Sequence, residues 1–382
     1  MGYAPWLLIA ASIVATPAFA ADVVVFGDSW ARGAADELED VLWDHDQGYI
    51  RVANHAVSGT TAEYWATQDR DALHQAVTEN PDARWVWLSI GGNDVFWHHH
   101  NGLAATSAAD NDVHIRQMLD DLFAVHPDVK VVLFGYDFLN FEQSTDCIAL
   151  AFSVFGQDIT TPQVNAIFLL EVGAVQATLA EDHPNVTYVD SVWGTLQAAG
   201  GVPGAPNADL PSPEAYFSDC IHPNSTGYTL IMDALHEDYW GRAAPVADFS
   251  VSDPGPEVGE VVVFTSTGTG SDRLAWTLDG LEAGHEPWLE WTADTVGPHT
   301  ITLRADAGAW DDTHTEVIEV HPGATDDSDD PEDTDPTGDP TVVAEGSCGC
   351  ATGSEGGAWG LPGLLLLWTG RRRRPGAALT RT

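Results

Sequence analysis

Short apolar runs alternate with longer amphipathic segments over the first two thirds of the chain. Runs rich in β-branched and aromatic residues predict strands at residues 23–26, 49–53, 85–90, 129–135 and 186–190. Apolar residues at helical spacing predict helices at residues 30–41, 112–125, 162–181 and 223–239. Pro162 and Pro223 are predicted at first helical positions, where a missing N–H costs nothing. This alternation indicates an α/β domain with a parallel sheet covered by helices on both faces.

The pattern changes after residue 244, where short strands with period-2 alternation replace the helices. Glycine-rich turns separate predicted strands at residues 261–265, 274–278, 288–292, 299–305 and 313–320. Residues 245–321 are therefore predicted to form a small, all-β sandwich. Tryptophans at positions 276, 288, 291 and 310 could line a sugar-binding face, but in so small a sandwich they are expected in the core.

Both ends of the chain differ from these two domains. Residues 1–20 contain an apolar run followed by Ala18-Phe19-Ala20, which predicts a secretory signal peptide, with a short membrane anchor as the alternative. Residues 322–345 are acidic and almost free of apolar side chains, so they are predicted to be a disordered linker. Residues 346–382 contain Cys348 and Cys350, a short apolar run and the cluster Arg371–Arg374.

Composition narrows the function classes. The 382-residue chain has a formal net charge of −44, and its only lysine is Lys130. A surface covered by carboxylates repels nucleic acids and anionic membranes, so neither is an expected partner. Two explanations of the acidity stay open: solubility in a salty medium, where screening removes self-repulsion, and the general composition of the source lineage.

Glycine and polar residues follow the predicted strands at the ends where open α/β sheets bind ligands. Three blocks carry them: Gly27-Asp28-Ser29, Asn54-His55-Ala56-Val57-Ser58-Gly59 and Gly91-Gly92-Asn93-Asp94. A fourth block, Asp219-Cys220-Ile221-His222, comes just before the helix predicted at residues 223–239. Ser29 is expected beside a helix N-terminus, where unpaired N–H groups and the helix dipole would stabilise an oxyanion. Gly-x-Ser-x-Gly, the nucleophile motif of α/β-hydrolases, does not occur in the chain.

The four blocks in this order resemble the SGNH, or GDSL, hydrolase family over residues 22–242. The resemblance implies a flavodoxin-like, three-layer domain that hydrolyses carboxylic esters without a cofactor. Ser29 would be the nucleophile, His222 the base and Asp219 the carboxylate that orients His222. The oxyanion hole would comprise the N–H groups of Ser29 and Gly59 and the amide of Asn93. Trp30 stands where the family more often has leucine, isoleucine or tyrosine, and it is expected to shape the pocket.

Several of these residues also have structural explanations. His222 could cap the following helix, with Asp219 as a partner of that helix dipole. Asp28 is expected to be a hydrogen-bonding brace rather than a base, and Asp94 a similar one. Asp190 is the substitute candidate if Asp219 is not the catalytic carboxylate. The run His98-His99-His100 suggests a metal site, but consecutive side chains diverge, so no metal is predicted.

Cysteine usage is consistent with export. Cys147 and Cys220 lie in the hydrolase-like region, and no Cys-x-x-Cys zinc spacing occurs. These two cysteines are predicted to form a disulfide that ties the loop after the fourth strand to the turn at residues 219–222. The alternative is two buried free thiols.

Two further resemblances concern the C-terminal third. The segments 275–280 and 297–303 resemble those of PKD-type, immunoglobulin-like domains, and the tail resembles the MYXO-CTERM sorting signal. The tail resemblance implies cleavage near the cysteines and display at the cell surface or outer membrane. The resulting hypothesis is an exported, monomeric esterase that acts on a lipid or an acylated carbohydrate and is attached to the cell envelope. The alternative is an inactive adhesive protein that binds through its β-sandwich.

Overall fold

The structure is a computed structural model that describes residues 20–323. Its helices are α1 (Ser29–Asp44), α2 (Ala62–Thr67), α3 (Ala72–Glu79), α4 (Gly92–His100), α5 (Ser107–Val125), α6 (Thr145–Phe155), α7 (Thr161–Phe168), α8 (Ala174–Asp182), α9 (Thr195–Ala199) and α10 (Ser225–Asp238). Its strands are β1 (Val23–Gly27), β2 (Val52–Asn54), β3 (Trp85–Ser89), β4 (Lys130–Leu133), β5 (Val186–Tyr188), β6 (Phe249–Val251), β7 (Val261–Ser266), β8 (Arg273–Leu278), β9 (Leu281–Gly284), β10 (Trp288–Thr292), β11 (Gly297–Ala307) and β12 (Trp310–Val320). The predicted signal peptide, most of the linker and the tail lie outside the described residues.

The first five strands form one parallel sheet in the order β2-β1-β3-β4-β5. Val23 lies opposite both Val52 and Trp85, so β1 is central between β2 and β3. This order is the flavodoxin-like one, and the direction of winding reverses between β1 and β3. The predicted α/β class and parallel sheet are confirmed. The reversal opens a crevice at the carboxyl ends of β1 and β3, which are followed by Ser29 and Asn93.

Helices cover both faces of this sheet, as alternation along the strands requires. On one face Val23, Val25 and Trp87 pack with side chains of α1 and α10. On the other face Val24 and Val86 pack with side chains of α2, α3, α5 and α8. The buried strands have continuous apolar sequences because each face of the sheet packs against its own hydrophobic core.

Some predicted boundaries are wrong. Pro223 is not in a helix, because Asn224 is the N-cap of α10 and Pro223 instead forms an isolated bridge with Phe217. The strand predicted from residue 49 begins at Val52, since the preceding residues form a turn in which Ile50 N–H donates to Gln47.

The helix predicted at residues 162–181 is observed as α7 and α8 joined by a π-helical segment, Leu169–Gly173. Residues Thr161–Asp182 are long and apolar enough to cross a membrane by length and composition alone. In the fold, Val164, Phe168, Val172 and Leu179 are buried in the two cores of the hydrolase-like domain itself. Its apolar character is therefore explained by its packing.

The second region is a β-sandwich of two antiparallel sheets, β10-β7-β6 and β12-β11-β8-β9, and the predicted all-β fold is confirmed. Trp276 is fully buried between the sheets with Phe249 and Phe264. Trp288 is exposed, whereas Trp310 packs against the core of the hydrolase-like domain. The tryptophans therefore do not form the shared sugar-binding face considered above.

The sandwich packs on the hydrolase-like domain near the amino ends of β3, β4 and β5. Lys130 Nζ lies 2.6 Å from Asp311 and 3.3 Å from Asp306 across this interface. Backbone contacts add to it, because Ala309 N–H donates to the Tyr239 carbonyl and Trp85 Nε1 donates to Ala309. The sandwich is thus attached at the end of the sheet opposite Ser29, so its position leaves the carboxyl-end crevice uncovered.

Candidate active site

Ser29 is the first residue of α1 and follows the sharp end of β1. Gly27 has φ +135°, and a Cβ there would lie 1.9 Å from the Ser89 carbonyl oxygen, so only glycine permits this close pairing with β3. Asp28 caps α1 because its Oδ1 accepts from Trp30 N–H at 2.9 Å. The cap directs Ser29 to the crevice, where it is only partly buried.

His222 and Asp219 lie on a turn immediately before α10. Asp219 Oδ1 accepts from the N–H groups of Ile221 and His222 at 2.9 and 2.8 Å, which closes the turn. Asp219 Oδ2 lies 2.8 Å from His222 Nδ1, and His222 Nε2 lies 2.8 Å from Ser29 Oγ. With the ring proton on Nδ1, His222 donates to Asp219 and accepts from the serine hydroxyl. The three predicted residues therefore form one continuous hydrogen-bonded chain.

The charge state of Asp219 suits this arrangement. Partial burial acts to raise its pKa, but hydrogen bonds from Ile221 N–H and from the ring and N–H of His222 outweigh burial, so the pKa is lowered. Asp219 is therefore ionised at neutral pH and can stabilise a positive charge on His222. Asp190, the substitute candidate, begins a short 3₁₀ turn after β5. Within residues 20–323 it forms neither a hydrogen bond nor an ion pair with His222.

Two of the predicted oxyanion donors come from separate parts of the chain: Gly59 lies in the loop between β2 and α2, and Asn93 lies in the first turn of α4 and lines the same depression as Ser29. Gly59 has φ +82° and is exposed, so its loop adopts a conformation suited to glycine. Asn93 Nδ2 donates to the Thr60 carbonyl at 2.9 Å. One amide hydrogen of Asn93 is thereby engaged, which orients the side chain and leaves its second hydrogen for another acceptor. The sequence offered no indication of this role for Thr60.

A buried tyrosine connects the Ser29 and Asn93 blocks from behind. Tyr136 OH accepts from Gly92 N–H at 2.8 Å and donates to Asp28 Oδ2 in a short hydrogen bond. Burial raises the pKa of Asp28 to about 7, although hydrogen bonds from Tyr136 and Trp30 N–H act in the opposite direction. Asp28 is thus the structural brace that was expected. Tyr136 was missed because no local sequence pattern marks it.

A disulfide between Cys147 and Cys220 anchors the turn that carries Asp219 and His222. Cys147 lies in the first turn of α6, so the bond joins α6 to this turn. Gln143 adds a second connection, since its Nε2 donates to the Asp219 carbonyl at 2.5 Å. Both connections restrict the backbone next to the histidine.

The three consecutive histidines have separate partners. His98 Nε2 lies 2.9 Å from Asp110 and His99 Nε2 lies 3.0 Å from Glu171, while His100 Nδ1 donates to a backbone carbonyl. Within residues 20–323, no cluster of histidine, cysteine and carboxylate side chains is arranged to hold a metal ion.

Asp94 caps α2 by accepting from the N–H groups of Ala62 and Glu63.

Two depressions adjoin the Ser29 block. The first, here called the serine cavity, contains Ser29 and His222 and has walls of Trp30, Phe96, Tyr136, Leu139, Phe168 and Ile221. The second, here called the Trp97 groove, is lined by Ser58, Gly59, Glu63, Tyr64, Gln68 and Trp97, among others. The two depressions differ greatly in free volume, counted as the space that the centre of a water molecule can reach. This volume is about 10 Å³ in the serine cavity and about 450 Å³ in the groove.

A larger cavity of about 1260 Å³ lies along β5 and β8, between the two domains. Its size makes it a candidate ligand site. Its lining, which includes Asp182, Arg242 and Arg273, contains neither Ser29 nor His222. Because nucleophilic chemistry requires a nucleophile in contact with a base, the crevice at Ser29 is the candidate active site.

A known family matches most of the hydrolase-like region. Residues 25–230 match the sequence model of the GDSL-like lipase/acylhydrolase family, a span that includes Ser29, Gly59, Asn93, Asp219 and His222. No curated protein sequence matches the chain.

Solved structures provide weaker likenesses. An acetylxylan esterase from Geobacillus stearothermophilus, solved as a catalytic mutant, is 16% identical, with 56% of this chain and 92% of that chain covered and a TM-score of 0.37. An α/β-hydrolase enzyme from the metagenome of Lake Arreo, Spain, is 22% identical, with coverages of 57% and 95% and a TM-score of 0.37. A PKD1 domain of Vibrio anguillarum is 22% identical, with coverages of 21% and 98% and a TM-score of 0.19. All three TM-scores are low, so no functional conclusion rests on them.

Proposed function

As the chain belongs to the GDSL-like lipase/acylhydrolase family and is an ester hydrolase, we propose that it cleaves carboxylic esters through a triad of Ser29, His222 and Asp219. The observation that carries this proposal is the hydrogen-bonded chain from Ser29 Oγ through His222 to Asp219, in which both links measure 2.8 Å. Such a chain supplies a nucleophile, a base and a group that fixes the tautomer of the base.

The proposed reaction has two steps. Ser29 Oγ attacks the ester carbonyl carbon while His222 Nε2 takes the hydroxyl proton and then donates it to the departing alcohol oxygen. The N–H groups of Ser29 and Gly59 and the second amide hydrogen of Asn93 stabilise the oxyanion. In the second step a water molecule gives a proton to His222 and attacks the acyl-serine, and His222 then donates that proton to Ser29 Oγ as the carboxylic acid leaves. Asp219 remains ionised throughout and stabilises the imidazolium.

A comparison of wild type with Ser29→Ala on 4-nitrophenyl acetate tests the proposal. Removing the nucleophile should lower kcat by about a thousandfold or more. Ser250→Ala, an exposed serine on β6, is the matched control and should retain the wild-type rate. Equal rates for wild type and Ser29→Ala would contradict the esterase mechanism and favour the alternative of an inactive binding protein.

We also propose that the enzyme is exported and displayed at the cell surface. The supporting features are the apolar segment ending in Ala18-Phe19-Ala20 and the tail with Cys348, Cys350 and Arg371–Arg374. The β-sandwich is proposed to be a PKD-type spacer between catalytic domain and tail. Deleting residues 346–382 should release active enzyme into the medium without a change in kcat. Retention of the truncated protein on cells would instead identify the sandwich as the anchor.

A further inference from the structure

The serine cavity is too small for a long acyl chain. Its free space of about 10 Å³ is close to the minimum of about 10–15 Å³ that one water molecule needs by this measure. A methyl group is of similar size, so the cavity accommodates the methyl of an acetyl ester beside the reacting carbonyl. Each further methylene requires the wall to move.

The wall of the serine cavity resists such movement. Trp30, Tyr136 and Phe168 are almost fully buried and contact one another in sequence, with ring centroids 5.1 and 5.4 Å apart. Phe96 closes the row at 5.5 Å from Phe168. Additional methylenes forced into a packed core push side chains out of their preferred rotamers, so this aromatic wall discriminates against longer acyl groups.

The Trp97 groove has the opposite character. It is about 450 Å³, within the range of about 300–1,000 Å³ typical of ligand pockets. Trp97 is 48% exposed and lines this groove, so part of its apolar surface is accessible to a ligand. The side chains of Ser58, Glu63 and Gln68 make no hydrogen bond to any other residue within the described range, so their polar groups are free to bind a ligand.

The groove adjoins the proposed oxyanion hole. Gly59, the proposed oxyanion donor, is part of its lining, and the Thr60 carbonyl that orients Asn93 belongs to the same loop. An ester held at Ser29 with its acyl group in the serine cavity must place its larger alcohol part outside that cavity. The groove is the adjoining depression large enough to receive it.

We propose that the substrate is an acetyl ester of a carbohydrate, with the acetyl methyl in the serine cavity and the sugar along the Trp97 groove. Sugars present an apolar ring face, which stacks on an exposed tryptophan, and a rim of hydroxyls that both donate and accept hydrogen bonds. A phospholipid fits less well, because Glu63 and the strongly negative chain repel its phosphate. The reaction transfers the acetyl group to Ser29 Oγ while the serine proton passes through His222 to the departing sugar oxygen. Water then hydrolyses the acetyl-serine, which releases acetate and restores the Ser29 hydroxyl.

This inference rests on the proposed esterase function, and one substrate panel separates the two. The full chain is assayed on 4-nitrophenyl acetate, 4-nitrophenyl octanoate, acetylated xylo-oligosaccharides and acetylcholine. Wild type should prefer 4-nitrophenyl acetate to the octanoate by about tenfold or more in kcat/KM. If 4-nitrophenyl acetate is not cleaved, the esterase proposal itself fails. If it is cleaved but the octanoate is cleaved equally well, only the acetyl assignment is overturned.

Trp97→Ala tests the sugar assignment. It should lower the ratio of kcat/KM for acetylated oligosaccharides to kcat/KM for 4-nitrophenyl acetate by about tenfold, and Gln68→Ala should lower the same ratio severalfold. The matched control is Trp43→Ala, because Trp43 is 66% exposed on α1 and lies outside both depressions. An unchanged ratio in both groove variants overturns the sugar site. A Trp97→Ala effect confined to acetylcholine also overturns it, in favour of a cationic alcohol.

Discussion

Tyr136→Phe should destabilise the protein strongly, although it removes a single oxygen atom. The hydroxyl accepts from Gly92 N–H at 2.8 Å and donates to Asp28, and all three groups are buried. The substitution leaves two buried polar groups without this partner. An unsatisfied buried group costs about 1–3 kcal/mol, and more when it is charged, so the expected loss is about 4 kcal/mol at pH 8.5.

The loss should depend on pH because Asp28 titrates. Its pKa is raised by burial from 3.8 to about 7, so between these values the folded state keeps a proton that the unfolded state has released. Stability from this group is therefore greatest below pH 3.8 and falls by about 4 kcal/mol in total as pH rises from there through the folded pKa of about 7. Loss of the Tyr136 hydrogen bond raises this pKa further. At pH 5 Asp28 is neutral in both proteins, and the expected loss is only about 2 kcal/mol.

Urea unfolding at pH 5 and pH 8.5 measures both values. Tyr228→Phe is the matched control, because Tyr228 packs against Trp30 but its hydroxyl has no hydrogen-bond partner among the described residues. It should change the free energy of unfolding by less than about 1 kcal/mol. If Tyr136→Phe were no more destabilising than Tyr228→Phe, or equally destabilising at both pH values, the proposed brace would be refuted.

Other substitutions test separate parts of the structure. Asn93→Ala should lower kcat by about a hundredfold or more without moving the acid limb of the pH–rate profile, because an oxyanion donor is uncharged. Asp219→Asn should impair kcat severely by disturbing the His222 tautomer, and near-full activity of this variant would disprove the role of Asp219. Lys130→Met should destabilise the protein by about 2 kcal/mol in urea unfolding, since Asp306 and Asp311 lose one of the two cations beside them and keep only Arg304. An unchanged midpoint would show that the Lys130 ion pairs contribute nothing. Cys147→Ser should lower the free energy of unfolding by about 4 kcal/mol, which is the value that the chain-entropy model gives for a separation of 73 residues. Mass mapping that finds both cysteines as free thiols in the wild type would contradict the disulfide.

The strands and the chemistry at their ends were largely predictable from the sequence. Residues 23–26 and 288–292 were placed correctly because β-branched and aromatic runs bounded by turns allow few other structures. Ser29 and Asn93 were placed at the crevice because each lies within four residues of a strand end, and neighbouring parallel strands end at the same edge of the sheet. Asp219 and His222 are three residues apart, so their contact is local.

The tertiary structure alone decided the contacts between distant residues. Tyr136 is 108 residues from Asp28, and Lys130 is 176 residues from Asp306, so no periodicity or motif joins either pair. The same holds for the size difference between the serine cavity and the Trp97 groove, which depends on how rings and loops from separate elements pack. The hydrophobic pattern determines which residues are buried, because the hydrophobic effect depends on apolar area and has no preferred direction. For the same reason the pattern does not select the partner of each buried residue, which depends on how the whole chain packs.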